Sequence, residues 1–363
     1  SHCTITGDKP DVRTFLGRPW RIYASTIYLN CDLSDVVRPA GWNDWKKPET
    51  HTTARYAEYN NTGAGADPAA RPDWIKRLTK SEAEQITVKK VLGGSDHWNP
   101  TLDPAIGATH RDIEYGEAGG EKLLLDAHVP EGAGKFPVLL IVHGGGWSSG
   151  DKETDIVPVL DSAITNFTWF TINYRLAPTN RWPACYDDLL TAIRWVKQHA
   201  SEYKGDPDRI ALIGYSAGGY LVTLAGTRTN ADTRVQAIVG FAPPTEIATD
   251  AKRRGSMEKW LSMKWLLGRD ELDAATLQTM TDISPVEHVQ PGLPPFLIVQ
   301  GSADKTVPPE QTRDFETRLK QAGVPCDFIS ITNGQHRIAD WGKFHPGWQA
   351  EVAAWLDQTL AAK

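Results

Sequence analysis

An apolar run at 210–213 (Ile-Ala-Leu-Ile) passes through Gly214-Tyr215-Ser216-Ala217-Gly218 into a helix-compatible run at 219–229. A strand that turns at once into a helix strains the backbone of the corner residue. Side chains two positions to either side would collide across the turn, so glycine is required at 214 and 218. Such a corner lifts the Ser216 hydroxyl clear of a sheet and sets it at a helix N-terminus, where N–H groups and the helix dipole favour a developing negative charge. An ordinary glycine-rich loop is the competing reading of these five residues. The decision rests on whether a histidine, a carboxylate and an anion pocket occur where this sheet would need them.

The pattern from about residue 108 onward supplies such a sheet. Segments 111–115 and 122–129 read as antiparallel strands joined by 116–120, and 136–143 (Phe-Pro-Val-Leu-Leu-Ile-Val-His) is the continuous apolar run of a strand covered on both faces. Helical and strand patterns then alternate over 157–165, 169–174, 185–202, 209–214, 220–227 and 235–241. Beyond an insertion they resume at 296–300, 309–322, 327–332 and 346–360. Alternation of this kind predicts a mainly parallel sheet with helices on both faces and a ligand site at the carboxyl ends of the strands.

Three strand ends carry candidate chemistry. His143-Gly144-Gly145-Gly146-Trp147 follows the first long strand; its glycines leave amides free to converge on an oxyanion, with Gly145, Gly146 and the Ala217 amide as the expected donors. His143 is expected to shape this loop rather than to move protons. Asp304, in the loop after 296–300, would hold a histidine in one tautomer; a helix-capping role is the alternative, although Pro308 rather than Asp304 adjoins the helix. His336, in Asn333-Gly334-Gln335-His336, follows the last strand and lies downstream of both Ser216 and Asp304. His345, in a Phe-His-Pro setting, reads as the start of the terminal helix. The insertion at about 245–290 reads as a helical cap. Trp260 and Trp265, five residues apart, do not share one helix face and are expected chiefly to pack the cap; with Trp147 they are the candidates here for contact with an acyl group or sugar.

The 363 residues exceed one typical domain, and the first hundred differ in texture: short β-rich runs at 25–31 and 53–59 alternate with turns, without a long amphipathic helix. The expected division is 1–100, a linker at 101–107, and 108–363. A composition of 40% hydrophobic and 23% charged residues is that of a globular protein, and a net charge of −6 argues against nucleic acid or an anionic membrane as partner. No apolar stretch reaches the length of a membrane span. Cys3, Cys31, Cys185 and Cys326 show no metal-ligand spacing; Cys3 and Cys31 could pair, but free thiols are expected, and no metal or cofactor is. Fourteen tryptophans suit either stacking on sugars or core packing. The sequence starts at Ser1 with no signal peptide, as a processed or truncated chain would, so a missing signal does not argue for a cytoplasmic home.

Phe15-Leu16-Gly17-Arg18-Pro19-Trp20, Pro39-Ala40-Gly41-Trp42, and Glu58-Tyr59-Asn60-Asn61-Thr62-Gly63 with Gly65 resemble the C-terminal part of pectin methylesterases, as does the stretch from 85–88 to 98–100. That resemblance implies a partial right-handed parallel β-helix, with Arg18 and Trp20 matching residues that line the family's substrate groove. The family's two catalytic aspartates precede the Leu-Gly-Arg-Pro-Trp motif and have no counterpart here. The expectation is therefore a non-catalytic fragment in which Arg18 and Trp20 form a buried structural pair. Its open end would need a cover, either the second domain or another copy of the chain.

The remainder, about 105–363, resembles the α/β-hydrolase superfamily. Its His-Gly-Gly-Gly-Trp, Tyr174-Arg175-Leu176-Ala177-Pro178 and Gly-Tyr-Ser-Ala-Gly-Gly stretches are similar to carboxylesterases with hormone-sensitive-lipase-like motifs, and most of all to Bacteroidetes-type feruloyl and acetyl-xylan esterases. The resemblance implies Ser216 as nucleophile, His336 as base and then acid, Asp304 as orienter, and an acyl-enzyme split by water. It implies a secreted or periplasmic bacterial enzyme whose partners are plant cell-wall polysaccharide or oligosaccharide esters of xylan or pectin. A small-molecule carboxylesterase or a peptidase on the same fold is the alternative.

Overall fold

The computed structural model describes residues 3–7, 12–87 and 109–361. The expected linker at 101–107 and the end of the pectin-methylesterase-like stretch, 88–100, lie outside them. The chain divides into two compact units, Ser1–Ala105 and Ile106–Lys363.

In the first unit, β1 (Thr4–Ile5) pairs in parallel with β3 (Asp32–Leu33), while β2 (Ser25–Leu29), β4 (Arg55–Tyr59) and β5 (Lys76–Arg77) form a second parallel ladder. Ser25 faces Arg55 and Leu29 faces Tyr59, so the coil repeats every 30 residues. Asn30 and Asn60, both in the left-handed region, end equivalent strands and are joined side chain to side chain at 2.8 Å. A short helix, α1 (Lys80–Glu84), follows behind a Thr79–Glu82 capping box.

Beneath the ladder, Glu58 accepts hydrogen bonds from Arg71 Nε (2.7 Å), Trp42 Nε1 (2.6 Å) and Asn61 Nδ2 (3.0 Å). The buried Arg71 also donates to the carbonyls of Pro39 and Gly65. Burial alone would raise the Glu58 carboxyl, but the bonds from Arg71 and Trp42 outweigh it and hold it below the ordinary 4.5. A depressed carboxyl stabilises the fold above its unfolded value and loses that contribution as pH falls through the folded one. Hydrogen exchange over 25–77 should therefore accelerate as pH drops below about 4.5, after correction for the intrinsic rate. Glu58→Gln should leave Arg71 buried without its counter-charge and cost about 3–5 kcal/mol; a loss under 1 kcal/mol would show that the network does not hold the unit.

The second unit is built on one eight-stranded sheet. Its strands are β6 (His110–Ala118), β7 (Glu121–His128), β8 (Phe136–Val142), β9 (Thr168–Ile172), β10 (Gly205–Tyr215), β11 (Ala237–Phe241), β12 (Phe296–Gly301) and β13 (Cys326–Ile331). They lie in the order β13-β12-β11-β10-β8-β9-β7-β6, parallel from β13 to β9, with β7 and β6 antiparallel at the edge. The first hairpin departs from expectation. Gly116 to Ala118 remain in the strand, and the turn shrinks to Gly119-Gly120, whose φ values of 61° and 77° suit a two-residue turn between right-twisted strands.

Alternate residues of β8 explain its unbroken apolar run: Val138, Leu140 and Val142 join the core on one face, Leu139 and Ile141 the core on the other. The first face is covered by α3 (Ala184–His199), the fully buried α4 (Ala217–Thr227) and α8 (Pro309–Gln321); the second by α2 (Ile156–Leu160) and α9 (Trp348–Thr359). Between β11 and β12 the insertion forms α5 (Ile247–Arg254), α6 (Leu261–Leu267) and α7 (Ala274–Asp282). The terminal helix starts at Trp348 rather than 346, and a 3₁₀ segment, Ile338–Lys343, precedes it.

The topology positions the site. β9 lies on one side of β8 and β10 on the other, so the loops leaving β8 and β10 diverge and open a crevice between them.

Candidate active site

Ser216 sits between β10 and α4 with φ 52° and ψ −114°, a conformation costly for a residue with a side chain. The neighbouring glycines make it attainable. A Cβ on Gly214 would meet the Gly218 carbonyl at 2.2 Å, and one on Gly218 would meet the Val142 carbonyl at 2.2 Å. Both obstructions are backbone and cannot swing aside. Gly218→Ala should therefore separate β8 from α4 and cost more than about 4 kcal/mol; a thermal unfolding curve matching the parent chain would contradict the packing described.

His336 Nε2 lies 2.9 Å from Ser216 Oγ, and its Nδ1 lies 2.8 Å from Asp304 Oδ2. A carboxylate only accepts, so Nδ1 carries the proton and Nε2 presents a lone pair to the hydroxyl. The Asp304 side chain is fully buried, whereas that of His336 is 21% exposed and Ser216 is likewise half-buried. Asp304 is held from all sides, Oδ1 by the amides of Thr306 (2.8 Å) and Val307 (3.0 Å) and Oδ2 by Gln300 Nε2 (3.1 Å) as well as His336. It caps no helix; α8 begins five residues later, at Pro309. His345 pairs with Glu351 at 2.5 Å, close to the start of α9.

The histidine loop is fixed by residues that sequence reasoning missed. Tyr215 Oη donates to the His336 carbonyl at 2.9 Å, Trp341 Nε1 to the Gln335 carbonyl at 2.7 Å, and the Asn333 amide to Ser302 Oγ at 2.9 Å. Tyr215 is the unspecified second residue of the Gly-x-Ser-x-Gly stretch, where only its place beside the serine could have drawn notice. Tyr215→Phe should lower kcat about fivefold with KM little changed, as loss of one positioning hydrogen bond does; equal loss in KM and none in kcat would assign the hydroxyl to binding instead.

Trans peptide geometry sets the anion pocket. The Gly144 carbonyl accepts from His143 Nδ1 (2.7 Å) and Tyr174 Oη (3.2 Å), and the Gly145 carbonyl accepts from the amides of Ser148 and Ser149 and from Ser149 Oγ. Each pinned carbonyl turns the next amide, that of Gly145 or Gly146, the opposite way. Among the described residues, neither these amides nor that of Ala217 donates to a protein acceptor. Gly145 and Gly146 have φ of 99° and 60°, and a Cβ on Gly145 would fall 2.0 Å from the Ser149 carbonyl. Burial holds the His143 imidazole below its ordinary value, and its ring stacks on Tyr174 at 4.3 Å; its contacts are those of a loop brace. Lys152, buried between Asp112 and Asp126 at 3.0 Å each, ties the end of the same loop to the sheet.

The remaining candidates differ in burial. Trp147 is 2% exposed and packed edge-on against Tyr220, so it forms core rather than a free stacking face. Trp260 is buried beneath the Arg254 guanidinium, 4.5 Å from its ring, whereas Trp265 is 41% exposed. The expectation that Arg18 and Trp20 form a buried pair is wrong: Arg18 is exposed and Trp20 is 70% exposed. The Arg18 guanidinium stands over Phe15 and Trp45, and Trp20 meets Trp45 edge-on at 5.1 Å. Polar and aromatic tips can satisfy each other at the surface, so the motif carries no need for burial. Cys31, Cys185 and Cys326 are buried thiols, and burial pushes Cys185 and Cys326 up to about 12.

Fold and site together are those of an α/β-hydrolase with a serine hydroxyl in hydrogen-bond reach of a histidine–aspartate pair. Residues 125–319 match the BD-FAE family, and the chain belongs to it. Residues 1–95 match the Pectinesterase family. Over 265 residues the chain is 37% identical to "Probable carboxylic ester hydrolase LipM" of Mycobacterium tuberculosis, an alignment covering 69% of this chain and 60% of that protein. The chain thus spans about three-fifths of this relative's length. An 89-residue stretch is 44% identical to a "Pectinesterase/pectinesterase inhibitor" of Brassica campestris, covering 24% of this chain and 16% of that one. The acetyl ester-xyloside bifunctional hydrolase from Caldicellulosiruptor lactoaceticus superposes with a TM-score of 0.58 at 25% identity, over 70% of this chain and 98% of that structure.

Proposed function

We propose that the chain removes acetyl or feruloyl groups from plant cell-wall polysaccharide, xylan or pectin, through an acyl-enzyme. The observation that carries the chemistry is the 2.9 Å approach of His336 Nε2 to a serine hydroxyl backed by unpartnered amides. His336 takes the proton from Ser216 Oγ as the oxygen adds to the ester carbonyl. The amides of Gly145, Gly146 and Ala217 receive the oxyanion, each worth roughly 3–4 kcal/mol of barrier. Asp304 stabilises the imidazolium, which then protonates the departing alcohol. Water, activated by the same imidazole, splits the acyl-enzyme and regenerates Ser216.

Support for the polysaccharide comes from two sources: the pectinesterase-matching segment on the same chain, and a superposable neighbour named an acetyl ester-xyloside bifunctional hydrolase. A polymer of that kind is met outside the cytoplasm, so we read the enzyme's setting as secreted or periplasmic. A broad small-molecule carboxylesterase is the second reading, favoured by the relative named for carboxylic ester hydrolysis. Mass spectrometry of acids released from native acetylated and feruloylated xylan and pectin, against turnover of simple aryl esters, separates them. Release from polymer at kcat/KM above that for the aryl ester supports the first reading; aryl-ester turnover with no release from polymer sinks it.

A further inference from the structure

We propose that the alcohol half of the substrate is a uronic-acid-bearing saccharide, held in a basic cavity beside His336; this rests on the esterase reading above. The imidazole must deliver its proton to the departing alkoxide, so the alcohol portion of the ester lies on the His336 side of Ser216. A cavity of about 480 Å³ has His336 in its wall. The size falls within the roughly 300–1,000 Å³ typical of ligand sites.

Its charge is the informative feature. Lys305, Arg337 and Lys343 line it against a single carboxylate, Asp340, which leaves a local balance of +2 on a chain whose net charge is −6. Asp340 is shared by Lys343 at 2.5 Å and Arg337 at 3.6 Å, while Lys305 has no ion-pair partner among the described residues. Two of the cations follow the relay directly: Lys305 comes after Asp304 and Arg337 after His336. The hydrogen bonds that fix the acid and base loops therefore also fix the backbone from which these two side chains extend. Phe344, 45% exposed at the same wall, offers an apolar face to a pyranose ring. A neutral sugar makes no use of the excess positive charge, whereas a sugar carboxylate is drawn to it, and a guanidinium can bind it through two parallel bonds.

The test uses the full chain and four sets of oligosaccharides. These are acetylated glucuronoxylo-oligosaccharides, acetylated oligogalacturonates, and both again with carboxyls reduced to primary alcohols. The acid form of at least one set should be hydrolysed with kcat/KM about tenfold above its reduced twin at low salt, as a few partly exposed charge pairs can supply. The better of the two acids identifies the polymer. The advantage should shrink in about 0.5 M sodium chloride, where exposed charges are screened within roughly 4–5 Å. In Lys305→Gln/Arg337→Gln the acid-to-reduced ratio should fall to about one, whereas Lys320→Gln, on the exposed side of α8, should leave it in place. Equal turnover of acid and reduced forms by the parent enzyme, or an unchanged ratio in the double variant, overturns the uronate proposal while leaving the esterase reading intact. Absence of serine-dependent turnover of every ester, aryl esters included, overturns both.

Discussion

Replacing Ser216 with alanine is expected to lower kcat on any ester by about six orders of magnitude, the loss typical of removing a serine nucleophile whose partners act as a unit. The hydroxyl stands against the His336 lone pair, and water cannot reproduce its fixed 2.9 Å approach. The fold should be unharmed. Alanine keeps the strained corner, and the Ser216 amide still donates to the Phe241 carbonyl at 2.8 Å. Because the two groups work as one device, Ser216→Ala combined with His336→Ala should be no slower than either alone. Additive losses in that double variant, or residual kcat within a hundredfold of the parent, would show that ester cleavage proceeds by another route.

Asp304→Asn should lower kcat by about four orders of magnitude and also destabilise the fold. Four donors converge on this carboxylate: the Thr306 and Val307 amides, Gln300 Nε2 and His336 Nδ1. An amide offers one acceptor oxygen, so whichever way it turns its NH₂ faces donors. Turned toward the backbone amides, it strands two buried N–H groups, at about 1–3 kcal/mol each. Turned toward His336, it forces the imidazole into the other tautomer and puts an N–H against the serine hydroxyl. Denaturant titration and single-turnover kinetics on one preparation read both effects. A variant with near-parental kcat would mean that Asp304 does not orient the imidazole.

The parts legible from sequence are those enforced by backbone sterics and by burial on two faces. The uninterrupted apolar run of β8 and the glycines around Ser216 admit few alternatives, and the order of Ser216, Asp304 and His336 follows the strands that carry them. The supports of that relay left no comparable trace. Gln300 reads as the polar end of an apolar strand, and Tyr215 as any residue between glycine and serine; only the approach of distant loops gives them partners. Surface or interior placement of aromatic residues was equally hidden. Trp147 and Trp20 each lie in a motif with charged or glycine neighbours, yet one is core and the other is 70% exposed. Packing against Tyr220 decides the first and pairing with Trp45 the second, and neither contact is local in sequence.

The cap bears on how such an enzyme could change its diet. Every group assigned to bond cleavage hangs from the parallel strands, whereas α5, α6 and α7 enter as one excursion between β11 and β12. That excursion meets the anion loop where Ser262 approaches Gly146: a Cβ built there would come within 3.1 Å of the serine. Substitutions along 247–288 can therefore widen or narrow the room for an acyl chain without disturbing the proton relay. Selection, or an engineer, could retune which acid is released while inheriting the chemistry unchanged.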